Sequence, residues 1–147
     1  MNNDRIISDL NKLITRNYDA EYGFKQASDR ANNPELKHLF NTFADWHNEF
    51  GHELKAEIQN MNGEISKGTS AAADAHRTWI DIKSNVKGNT DEAVLEECVR
   101  GEKKALEDYK NIVSNQELPV TTQRIIDEQM AKIEEFVIST EELAHQY

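Results

Sequence analysis

Residues 33–63, NPELKHLFNTFADWHNEFGHELKAEIQNMNG, decide the fold. Asn33 suits the cap position ahead of a helix, and Pro34 suits its first turn, where a missing N–H costs nothing. Leu36, Phe40, Phe43, His47, Phe50, Leu54, Glu57 and Met61 then recur at steps of three and four, with Leu39, Trp46 and Ile58 on the flanks. That spacing is one face of a helix. Asn62 and Gly63 close it as a C-cap pair. The stretch predicts a helix over 34–62 with a histidine among its core positions.

The same period extends outward in both directions. Ile7, Leu10, Ile14, Asn17, Glu21, Phe24 and Ser28 form a stripe that predicts a helix over 3–31. After Thr90, a capping residue followed by Asp91 and Glu92 in the first turn, the stripe Leu95, Cys98, Glu102, Ala105, Tyr109 and Ile112 predicts a helix over 91–114. Leu118 and Pro119 mark a reversal, and Ile126, Gln129, Ile133, Phe136, Thr140 and Leu143 predict a last helix over 120–145. Its apolar face is the least continuous of the four. Residues 63–90 differ in texture, with a shorter helix expected over about 70–86 carrying His76, Arg77 and Trp79.

Short turns inside each pair and a long connection between the pairs give two antiparallel hairpins joined by a crossover. The expected fold is therefore an all-α, ferritin-like four-helix bundle. At 147 residues the chain suits one domain, 1–147, and two prolines and six glycines are too few for an all-β alternative.

Twenty-seven acidic against seventeen basic side chains give a formal charge of -10. Such a surface offers a polyanion no electrostatic footprint, which argues against nucleic acid and anionic lipid as partners. Solubility alone also accounts for it. No apolar run approaches the length of a membrane span. Cys98 is the single cysteine and cannot form an internal disulfide, and no secretory signal precedes the first helix, so a cytoplasmic location is expected.

Chemistry is sought first in Glu-x-x-His, the spacing with which helices of carboxylate metal bundles present two ligands on one face. Glu49 with His52 and Glu142 with His145 have it. At about 100° per residue, however, both pairs fall off the core stripes. Ionisable residues inside the stripes carry more weight, because a buried carboxylate must be paired, metal-bound or protonated. Glu21 and Glu102 each lie 11 residues from the same expected end of the bundle, or about 16 Å along the axis, and His47 stands within about one turn of that level. A layer of Glu21, His47 and Glu102 offers ligand types for iron or another divalent transition metal. The same positions also make a metal-free polar layer, with Asn17 beside the carboxylates and Tyr18 or Tyr109 donating hydroxyl groups. Cys98, in an apolar stripe without a basic neighbour, reads as an inert buried thiol.

Asn33-Pro34-Glu35-Leu36-Lys37, Ala75-His76-Arg77-Thr78-Trp79 and Glu96-Glu97-Cys98-Val99-Arg100-Gly101-Glu102 resemble an uncharacterised bacterial family of ferritin-like four-helix bundles. The resemblance covers nearly the whole chain and implies kinship with ferritin and rubrerythrin. It matches Glu21 and Glu102 to the lone glutamates of the first and third helices, and Glu53 and Glu135 to those of the second and fourth. Ala56 and Ile138 stand three residues later, where that pattern has histidines. The expectation is a metal-binding or stress-associated module with a reduced or vestigial carboxylate site at Glu21, His47 and Glu102, with a di-iron oxidoreductase as the weaker reading. The alternative is a metal-free structural or interaction bundle that self-associates as a homo-oligomer.

Overall fold

Capping at the expected positions starts two of the helices. The Asn33 side-chain oxygen accepts from the Glu35 backbone N–H at 2.8 Å, and Thr90 Oγ1 accepts from the Ala93 N–H at 3.2 Å. The computed structural model describes residues 3–66 and 90–146, in which α1 spans Asn3–Arg30, α2 Pro34–Asn60, α3 Asp91–Asn115 and α4 Val120–Ala144. Among the described residues there is no strand. The helix expected over 70–86 lies outside them.

At the end of α2, Asn62 takes the left-handed conformation at φ 57°, and the Gly63 N–H returns to the Ile58 carbonyl at 2.9 Å. Asparagine tolerates that region because its side chain is short and polar. Gly63 is needed for space instead: a Cβ there would stand 2.6 Å from Ile7 Cδ1 on α1.

α1 packs most extensively on α2 and α3 on α4, while α1 also lies against α3 and α2 against α4. Polar contacts fix the directions. The Asp91 carboxylate, in the first turn of α3, accepts from the backbone N–H groups of Asn32 and Asn33 at 2.7 and 3.0 Å. α3 thus begins beside the turn where α2 begins, and the two run parallel. At the other end, Gln116 donates to Asp9, and Asn11 donates to the Glu64 carbonyl and accepts from the Ser66 N–H. Ser66 and Thr90 therefore lie at opposite ends of the bundle, separated by the stretch of α1 from Asn11 to Arg30, about 30 Å.

The core falls into two apolar clusters. One contains Phe24, Leu36, Phe40, Phe43, Leu95, Cys98 and Phe136, and the other Leu10, Leu13, Phe50, Leu54, Tyr109, Ile126 and Ile133. Burying each such aliphatic or aromatic side chain contributes about 1.5–3 kcal/mol against leaving it in water. The stripe of α1 differs from expectation at two positions, because Ile6 and Ala20 are buried where Ile7 and Glu21 were expected to be. No described helix is long and apolar enough to cross a membrane.

Candidate functional site

Between the two apolar clusters lies a layer of polar side chains. His47 of α2 is fully buried, with its imidazole stacked on Phe24 at 5.8 Å, edge-on to Phe50 at 5.6 Å and tilted against Phe136 at 6.2 Å. Those rings block water, so both ring nitrogens must find partners in the protein. Nδ1 meets Asn17 Oδ1 at 2.8 Å, and Nε2 meets Glu102 Oε2 at 2.9 Å.

The orientation of Asn17 decides where the protons are. Its amide nitrogen donates to the Leu13 carbonyl at 2.8 Å and to the Tyr109 hydroxyl oxygen at 2.7 Å, which leaves Oδ1 as an acceptor. His47 Nδ1 therefore carries a hydrogen. One further proton lies between Nε2 and Glu102, so the pair holds no net charge in the core whichever atom keeps it. Glu102 is 1% exposed, and its second oxygen, Oε1, also lies 2.9 Å from Nε2 yet receives no directed hydrogen bond.

The chain of bonds continues across the bundle. Tyr109 donates to Gln129 Oε1 at 2.6 Å, and Gln129 Nε2 donates to the Phe50 carbonyl at 3.2 Å and to Glu53 Oε1 at 3.0 Å. Asn17 on α1, His47 on α2, Glu102 and Tyr109 on α3 and Gln129 on α4 thus form one connected path. Burial pushes the Tyr109 phenol well above its ordinary pKa; the Asn17 hydrogen bond opposes this, and the Glu102 and Glu53 carboxylates add to it. Burial likewise raises the Cys98 thiol, helped by Glu102 and then Glu97. The thiol is thus held as the protonated, unreactive form.

His47 and Glu102 meet as the stripes place them. Glu21 does not join them, because after Asn17 the buried face steps by three to Ala20 and not by four. Its carboxylate lies at the α1–α2 edge, where Lys25 Nζ donates at 2.9 Å and the Asn48 amide at 3.2 and 3.3 Å. Glu49, His52, Glu142 and His145 are exposed, as their phase required. Ala56 and Ile138 also face out, so the positions three residues beyond Glu53 and Glu135 cannot serve the core. Glu135 pairs with Lys132 at 3.3 Å on the surface. Among the described residues, no group of three or more histidine, cysteine, aspartate and glutamate side chains could hold a metal ion.

Further polar ties escape a reading of the stripes. Asp19 is fully buried at the α1–α3 seam, where Arg16 reaches it at 3.3 Å and Asp108 at 2.6 Å. Arg16, three residues before Asp19, is the signal that could have revealed the pairing. Thr122 of α4 donates to the buried Glu57 of α2 at 2.8 Å.

No curated protein matches the chain. A family model does, described as a domain of unknown function, DUF2383, and its match runs over residues 5–115. That range holds α1 from Arg5 onward, α2, α3 and every member of the polar path except Gln129. Since the match takes in well over half of the sequence, the chain belongs to the DUF2383 family, a domain of unknown function.

Proposed function

We propose that this chain is a ferritin-like bundle acting as a metal-independent structural and interaction module, in which the buried polar path fixes the mutual register of the helices. The observation that carries this reading is the occupancy of His47: Nδ1 is committed to Asn17 and Nε2 to Glu102, on helices from both hairpins. Sliding any one helix by a turn would leave a buried donor or acceptor without a partner, at about 1–3 kcal/mol for each group. The ferritin-like relationship draws support from the parallel course of α2 and α3.

The carboxylate site of a di-metal bundle fits these residues poorly, since Glu21 is engaged by Lys25 and Asn48, and His47 Nδ1 holds its hydrogen towards Asn17. One observation favours a second reading, a reduced site for iron or another divalent metal. The Glu102 Oε1 atom is buried beside Nε2 without a hydrogen bond. Metal analysis after anaerobic iron(II) loading separates the two. The leading reading expects no bound iron in the wild type, and a Glu102→Gln variant within about 1 kcal/mol of wild-type stability, because the new amide can donate to Nε2. Stoichiometric iron that Glu102→Gln abolishes would overturn it.

A further inference from the structure

Among the described residues, most large apolar side chains that are exposed are already engaged or lie at an element's edge. Trp46 is covered by the Lys132 ammonium at 4.7 Å, the Tyr22 hydroxyl takes a bond from Gln26, and Val120 is the first residue of its helix. Ile138 is different. It projects from the C-terminal half of α4, is 57% exposed, and stands beside a groove of about 500 Å³ between α3 and α4. Leu106 and Val137, both nearly buried, line that groove with it.

Among the described residues, the polar part of the same groove consists of Lys103, Lys110, Glu107 and Glu134, two positive and two negative, so this lining sums to zero on a chain whose formal charge is -10. The Lys110–Glu134 pair is open at 3.8 Å with both side chains more than half exposed, so it is free to exchange partners. Two copies of an acidic protein repel each other over most of their surface. A patch that is locally neutral and carries both signs is where they can meet.

We infer that the α3–α4 face around Ile138 docks a second copy of this chain, an inference that rests on the interaction-module reading. A two-fold axis brings a patch against itself, so it must hold both halves of its own complement. Here an apolar knob, an apolar groove and balanced charges lie side by side. Ile138 of each copy enters the groove of the other, and Lys110 and Glu134 of each copy exchange partners across the axis.

Light scattering coupled to size exclusion, on the full chain from low-micromolar to near-millimolar concentration, tests this. The wild type is expected to reach twice the mass of one chain at the upper end, and Ile138→Glu to remain at one, with an unchanged helical circular dichroism spectrum. Lys110→Glu and Glu134→Lys, which give the groove opposite net charges, are each expected to be monomeric alone and to form a mixed dimer when combined. A wild type that stays monomeric throughout would overturn the inference, as would a dimer that survives all three substitutions. The iron-loading result is read independently, so failure of this face and failure of the metal-free reading are distinguishable.

Discussion

Tyr109 shows what a single hydroxyl does in this core. It accepts from Asn17 and donates to Gln129, so Tyr109→Phe leaves an amide hydrogen and an amide oxygen short of a partner, at a cost of about 1–3 kcal/mol near neutral pH in urea denaturation. The sign of its pH dependence follows from burial. The folded phenol ionises well above the unfolded value of about 10, so the folded chain retains a proton that the unfolded chain has released. That stabilisation is complete below about pH 10 and is lost as pH rises beyond it, by about 1.4 kcal/mol per unit. Phenylalanine has no such term. The stability gap between wild type and Tyr109→Phe should therefore narrow above pH 10, and a constant gap would contradict the buried, protonated phenol.

At this scale the sequence is readable where one helical phase is forced and unreadable where two are allowed. His47 has Phe43 and Phe50 on either side at steps of four and three, so its inward direction was legible, and Glu102 is held in the same way by Cys98 and Ala105. After Asn17, both Ala20 and Glu21 continue a helical stripe. Only packing against the other helices selects the alanine. Asp19 was illegible for a related reason, since its burial depends on Arg16 and Asp108 meeting across a seam that no single stripe defines.

Among the elements, α3 begins in the most constrained way. Thr90 caps it, and Asp91 one residue later turns its carboxylate onto the two backbone N–H groups at the α1–α2 turn. The cap was visible as a threonine followed by two acids, but the clamp was not, because the acid was equally well explained by the helix dipole. Hydrogen bonds to a charged acceptor are stronger than neutral ones. Asp91→Ala should therefore cost about 2–4 kcal/mol, against about 1 kcal/mol for Thr90→Ala, which loses the cap alone. Equal effects in a denaturant titration would mean that the clamp contributes nothing beyond helix initiation. α4 offers the contrast: Pro119 precedes it with no side-chain cap bond, and its ties to α2 come from Gln129 and Thr122.

Over the whole molecule, charge is the dominant long-range term. Ion pairs such as Lys103–Glu141 and Lys110–Glu134 lie at the surface, where each contributes little, while the excess of ten negative charges repels itself. Salt weakens both, and the repulsion is the larger. Raising ionic strength from about 0.01 M to about 0.15 M, which shortens the screening length from about 30 to 8 Å, should raise the melting temperature in dilute solution. A fall would show that the surface pairs outweigh the net repulsion.

The polar path also bears on how the bundle comes together. The α1–α2 hairpin alone would bring Asn17 to His47, yet the imidazole would lack Glu102 and the Asn17 amide would lack Tyr109. The α3–α4 hairpin alone would leave Glu102 facing water without its imidazole partner. Water thus serves these groups in each half, and the protein replaces it in full only when the two dock in one register. A dock in any other register would bury them unpaired, so the same side chains that interrupt the apolar core select one arrangement of the hairpins over its near neighbours.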